Sequence, residues 1–108
     1  ITGYLNEGIR SRPTTNSNWK IRYNNINSIQ DVGIYAEGTG AAQYIGNRIT
    51  GIKAGKGIVV NGPNALVVNN YVHAEGTGVA KGISLQSNGS GSLILNNSVS
   101  ISSVDVVN

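Results

Sequence analysis

Five acids and eight bases make up the whole formal charge of this 108-residue chain, so any charge-based chemistry must come from few side chains. Glu7 stands one residue before Gly8, Asp31 two before Gly33, and Glu37 three after Ile34. If the Gly-Ile steps at 8–9 and 33–34 stack in space, these carboxyls approach the ~5–9.5 Å separation that glycoside hydrolysis requires of its two acids. Ordinary surface acids are the alternative reading. Lys56 and Lys81 hold one shared position, immediately before Gly57 and Gly82, and Lys53 lies in the loop before the first of them. Two ammonium groups on adjacent levels repel unless they splay into water or share an anion. A uronate or sialate of an acidic polysaccharide is such an anion. His73 is the one histidine and the chain has no Cys, so no metal centre and no cofactor are expected.

A repeat must position these residues. Gly8-Ile9, Gly33-Ile34, Gly57-Ile58 and Gly82-Ile83 recur at intervals of 25, 24 and 25 residues. Asn24, Asn47, Asn70 and Asn97 run out of phase with them at intervals of 23, 23 and 27, each followed two residues later by Ile or Val. Two interleaved markers on one period of about 24 residues are the signature of a solenoid. Gly and Asn occur 15 times each, Phe and Met are absent, and the apolar bulk is β-branched. Short β-branched runs bounded by Gly, Asn and Ser read as strands and turns, not helices.

The markers align into a coil of three strands. The first begins at Gly-Ile, and alternation points Ile9, Ile34, Ile58 and Ile83 inward together with Ser11, Ala36, Val60 and Leu85. The second includes Leu66-Val67-Val68 and Leu93-Ile94-Leu95. An Asn corner follows, where a left-handed residue is expected and where stacked amides about 4.8 Å apart can hydrogen-bond along the pile. In the first coil either Asn24 or Asn25 can fill it. The third strand carries Ile49-Thr50, Val72-His73 and Val99-Ser100, and a loop returns to the next Gly-Ile. Outward positions of the first strands form two columns, Arg10-Tyr35-Val59-Ser84 and Arg12-Glu37-Asn61-Gln86, in which Arg12 and Glu37 are placed to pair. Trp19 is expected to cover the long first turn.

The Gly-Ile-x-x … x-Asn-x-Ile/Val pattern resembles the parallel β-helix repeat of pectate-lyase-like proteins, a group that includes bacteriophage tailspikes, polysaccharide lyases, glycoside hydrolases and mannuronan epimerases. The resemblance implies an all-β, right-handed parallel β-helix of about four coils over residues 1–108. It also implies a carbohydrate groove on the outer first-strand face, where Arg12, Tyr35, Glu37 and Asn61 sit with Lys53, Lys56 and Lys81 nearby. A tailspike-like segment in a virion tail is the leading expectation. It would be a homotrimer that binds bacterial surface polysaccharide, with cleavage in the full parent and Glu7, Asp31 and Glu37 as its acids. A structural shaft or adhesin, secreted or at the cell surface, is the second. A free-standing lyase or epimerase ranks third, because the motifs of the pectate lyases, polygalacturonases and epimerases have no counterpart here.

Composition sets other bounds. A net charge of +3 with 12% charged residues falls short of the basic stripe with interleaved aromatics that nucleic acid requires. No run of about 18 apolar residues marks a membrane span. Ile1-Thr2-Gly3 matches Ile49-Thr50-Gly51, and residues 104–108 read as the approach to a further first strand. The chain is therefore expected to be a piece of a longer β-helix.

Overall fold

The computed structural model describes residues 2–12, 18–37, 40–76 and 80–103; the expectations for Ile1 and for 104–108 lie outside them. Among the described residues eleven strands follow in chain order: β1 (Thr2–Ser11), β2 (Lys20–Arg22), β3 (Asn25–Ala36), β4 (Gln43–Ile45), β5 (Arg48–Ile52), β6 (Lys56–Val60), β7 (Leu66–Val68), β8 (Tyr71–Gly76), β9 (Lys81–Leu85), β10 (Leu93–Leu95) and β11 (Ser98–Ser103). A seven-stranded sheet has the order β11-β8-β5-β3-β6-β9 with β1 beside β3, and a four-stranded sheet has the order β10-β7-β4-β2. All pairings are parallel. The chain is a β-solenoid of about four coils.

Two hydrogen-bonded sheets make three walls, because the larger one bends. β3 runs unbroken from the third strand of one coil into the first strand of the next, where the sequence suggested a loop. The Gly of each Gly-Ile step lies at this bend, and its reason is contact. A Cβ on Gly33 would stand 2.5 Å from Ile49 Cγ2 and 2.6 Å from the Gly57 carbonyl oxygen. On Gly57 it would meet Val72 Cγ1 at 2.2 Å. The coil's own third strand therefore packs where a side chain would start.

Register follows the repeat. Ile9 pairs with Ile34, Ile34 with Ile58, and Ile58 with Ile83. Tyr44 pairs with Val67, and Val67 with Ile94. Ile26, Ile34, Ile49, Ile58, Val67 and Val72 are fully buried, and Ile83 packs against them. Ser11 is tolerated in the core because its hydroxyl meets the Tyr44 hydroxyl at 2.6 Å.

The Asn corner holds as a ladder. Asn70 Oδ1 accepts from both the backbone N–H and Nδ2 of Asn47, at 2.9 and 3.0 Å. Asn97 Oδ1 does the same for Asn70, and Asn47 Oδ1 for Asn24. Asn24, not Asn25, fills the first corner. The left-handed residue is one position earlier than expected: Tyr23, Gly46, Asn69 and Asn96 carry φ between 52° and 64°. The ladder Asn serves by its amide, and its predecessor makes the turn.

Candidate functional site

The outer face of the first strands is a grid fixed by register. Arg10, Tyr35, Val59 and Ser84 pair in succession. Glu37, Asn61 and Gln86 continue the neighbouring column, since the Glu37 N–H donates to Ser11 O, the Asn61 N–H to Ala36 O and the Gln86 N–H to Val60 O. Three residues upstream runs a third column, Glu7, Val32, Lys56 and Lys81. Each coil thus presents one level of three side chains, about 4.8 Å from the next.

Arg10 organises the top of the grid. Its Nη1 donates to Glu7 Oε1 at 3.0 Å and its Nε to Glu37 Oε2 at 2.8 Å. The guanidinium also lies over the Tyr35 ring, 4.5 Å from the centroid, a cation–π geometry. The hydrogen bond from Arg10 holds the Glu37 carboxyl below the usual glutamate range against some opposing desolvation, with Asn61 contributing a further hydrogen bond. The Arg10 pKa is raised, first by the same Glu37 bond. Arg12 does not make the ion pair that the column suggested; Glu37 is bonded by Arg10, and Arg12 adds only a weaker, longer-range field.

Tyr35 does not project as a lone platform. Its hydroxyl donates to Gln86 Oε1 at 3.2 Å, two levels away, so the side chain runs over Val59 on the level between. Val59 is fully buried although it points outward. One aromatic therefore ties three levels together, capped at one end by Arg10 and at the other by an amide.

The remaining candidates divide. Lys56 is half-buried and Lys81 exposed, on adjacent levels of the third column. Lys53 is exposed, and its backbone N–H donates to Ile29 O at 3.4 Å. Asp31 is exposed, one residue before Val32, and makes no ion pair among the described residues. Glu7, Arg10, Tyr35, Glu37, Asn61 and Gln86 are brought together; Asp31 and Arg12 stand apart from the bonded set. Arg10 is the member that the sequence underrated. The signals for it were its three-residue offset from Glu7 and its place beside Tyr35.

A second polar wall is formed by the third strands. His73 pairs with Thr50 and Tyr71 with Arg48 in register. His73 Nε2 lies 3.4 Å from Glu75 Oε2, and the Arg48 guanidinium is 5.6 Å from the Tyr71 ring centroid. Among the described residues no group of three His, Cys, Asp or Glu side chains is placed to hold a metal. Trp19 Nε1 donates to the Arg12 carbonyl at 3.2 Å, spanning the ends of the first turn.

The family described as the right handed beta helix region matches residues 7–105. The chain belongs to that family. No curated protein and no solved structure matches it. For a right-handed β-helix the stacking just described is the defining construction, and the family accounts for the coils without assigning a ligand to any wall.

Proposed function

We propose that this β-helix binds polysaccharide along its first-strand wall, and that it does so as the receptor-binding segment of a phage tailspike-like protein in a virion tail. The observation that carries the reading is Tyr35, held across three levels between Arg10 and Gln86, with Glu37 and Asn61 alongside. A fixed aromatic edged by amides and charges offers an apolar surface to a sugar ring and hydrogen bonds to its hydroxyls. Arg10 keeps Glu37 in the carboxylate form, which suits a nucleophile or base, whereas the proton donor of glycoside hydrolysis needs a raised pKa. Asp31 is exposed and stands outside that clamp.

The outer wall of the second strands supports a homotrimer. Alternation turns Ile45, Leu66, Val68, Leu93 and Leu95 outward there, and Leu93 and Leu95 are about half exposed. The same wall favours the second reading, a structural shaft or surface adhesin, if no glycan is bound. Affinity electrophoresis through gels containing purified capsular and O-chain polysaccharides separates the two. Retardation by at least one polymer is expected, weakened about tenfold (about 1.4 kcal/mol) by Tyr35→Ala with the β circular dichroism spectrum unchanged. Uniform mobility through the whole set would replace the receptor-binding reading by the shaft.

A further inference from the structure

We infer that the lower half of the first-strand wall, at Lys56 and Lys81, is an anion subsite that takes the carboxylate of an acidic sugar residue. The inference rests on the polysaccharide-binding reading above and adds to it a charge class and a location. The upper two levels carry the acids Glu7, Asp31 and Glu37 with the bases Arg10 and Arg12, and Arg10 bonds the carboxylates of Glu7 and Glu37. On the lower two levels Lys56 and Lys81 are direct register partners, and the acid of their column, Glu7, stands two levels above Lys56 and is bonded by Arg10. Among the described residues neither ammonium takes part in an ion pair or a side-chain hydrogen bond.

The register that sets Glu7 beside Arg10 also sets the lysines beside the sugar-facing column. Glu7 reaches Arg10 across an offset of three residues. The same offset places Lys56 beside Val59 and Lys81 beside Ser84. Beyond them stand Asn61 and Gln86, the latter bonded by the Tyr35 hydroxyl. An anion between the two ammonium groups relieves their repulsion, and the hydroxyl and amides next to it match the hydroxyls of the ring that carries that anion. The upper half of the wall presents the carboxylates of Glu7, Asp31 and Glu37, which repel a dense polyanion. The wall therefore fits a glycan with isolated carboxylates, not a nucleic acid or a heavily sulfated chain.

Dextran and carboxymethyl-dextran share a backbone and differ in their carboxylates, so affinity electrophoresis of the full chain in each isolates the anion. Retardation at least fivefold greater in carboxymethyl-dextran is expected, falling as salt rises because exposed charges are screened. Lys56→Gln with Lys81→Gln should abolish that difference without lowering the melting temperature. Lys20→Gln with Arg22→Gln removes equal charge from the second-strand wall and should keep it. An equal loss in both double variants, or no preference in the parent chain, overturns the subsite. Tyr35→Ala separates this inference from the reading beneath it. Carboxymethyl-dextran retardation that survives Tyr35→Ala but not the lysine double variant keeps the anion subsite and removes the aromatic platform. Retardation that survives the lysine double variant but not Tyr35→Ala overturns the subsite and leaves the platform.

Discussion

Arg10 bonds two carboxylates and covers one aromatic ring, so its influence on stability can be read through the acid that it perturbs most. The Glu37 pKa is lowered on folding, chiefly by the Arg10 hydrogen bond. A depressed carboxyl contributes stability above its unfolded pKa, near ~4.3 for glutamate, and loses it as pH falls through the folded value. Glu37→Gln should therefore lower the melting temperature slightly at pH 7, with the gap to the parent chain closing between about pH 5 and 3. The pair is partly exposed, so the effect is small and salt-sensitive. Parallel melting curves for parent and variant across that range would show that the bond adds nothing. Alignment of the repeats was enough to place Tyr35, Glu37 and Asn61 on one face. It was not enough to find Glu37's partner, because alternation fixes the direction of a Cβ and not the end of a long side chain. Arg10 reaches across columns and levels at once, and Tyr35 reaches two levels, which no spacing rule encodes.

At the scale of the element, the two sequence markers turn out to do different work from each other. The Asn marker is a hydrogen-bonding device, and each amide is used on both sides: Asn70 Nδ2 donates to Tyr44 O at 2.8 Å and to Asn97 Oδ1 at 3.0 Å. The tolerance of Asn for left-handed geometry pointed to the right corner but the wrong residue, since Asn69 and Asn96 make the turn and even Tyr23 does so in the first coil. The Gly marker is steric, and its spacing alone cannot say why glycine is needed, because the obstacle comes from the third strand of the same coil. Gly57→Ala should destabilise by about 1–3 kcal/mol, the usual cost of overpacking. Its added carbon would meet Val72 Cγ1 at 2.2 Å and the Gly82 carbonyl at 2.7 Å. Adding Val72→Ala removes the first obstacle and leaves the second, so Gly57→Ala should cost less in that background than alone, though the double variant stays below the parent. Denaturant melts of the four proteins in this double-mutant cycle measure the coupling. Strict additivity would mean that the glycine is required for some other reason.

Across the whole molecule, the outer surface is sorted by wall. The bent sheet shows polar and aromatic side chains on its first-strand and third-strand faces, whereas the second-strand face is largely aliphatic beyond Lys20, Arg22 and Gln43, the last two joined by a hydrogen bond. The repeat made this sorting readable, since each outward column can be written from the alignment alone; what such a wall meets was not readable, because no second chain is implied by a periodicity. The aliphatic face spans three residues by about three levels, roughly 10 by 15 Å, far below the ~800 Å² per partner of a stable interface. Association through it should therefore be weak for this chain. In sedimentation equilibrium the expected result is reversible self-association at tens to hundreds of micromolar, an affinity that matches so small an area. A closed ring about a three-fold axis stops at three chains, whereas end-to-end stacking of coils continues without limit, because a heterologous contact that does not close makes filaments. Mass that saturates at the trimer supports the lateral wall, and mass that grows steadily with concentration overturns it. Ile45→Lys with Val68→Lys provides the second reading. Both positions lie on the wall and away from the last coil, and a lysine stem can lie along it with its charge in water. The double variant should remain folded and sediment as a monomer. A variant that still forms the same trimer would place the contact on one of the two polar walls instead.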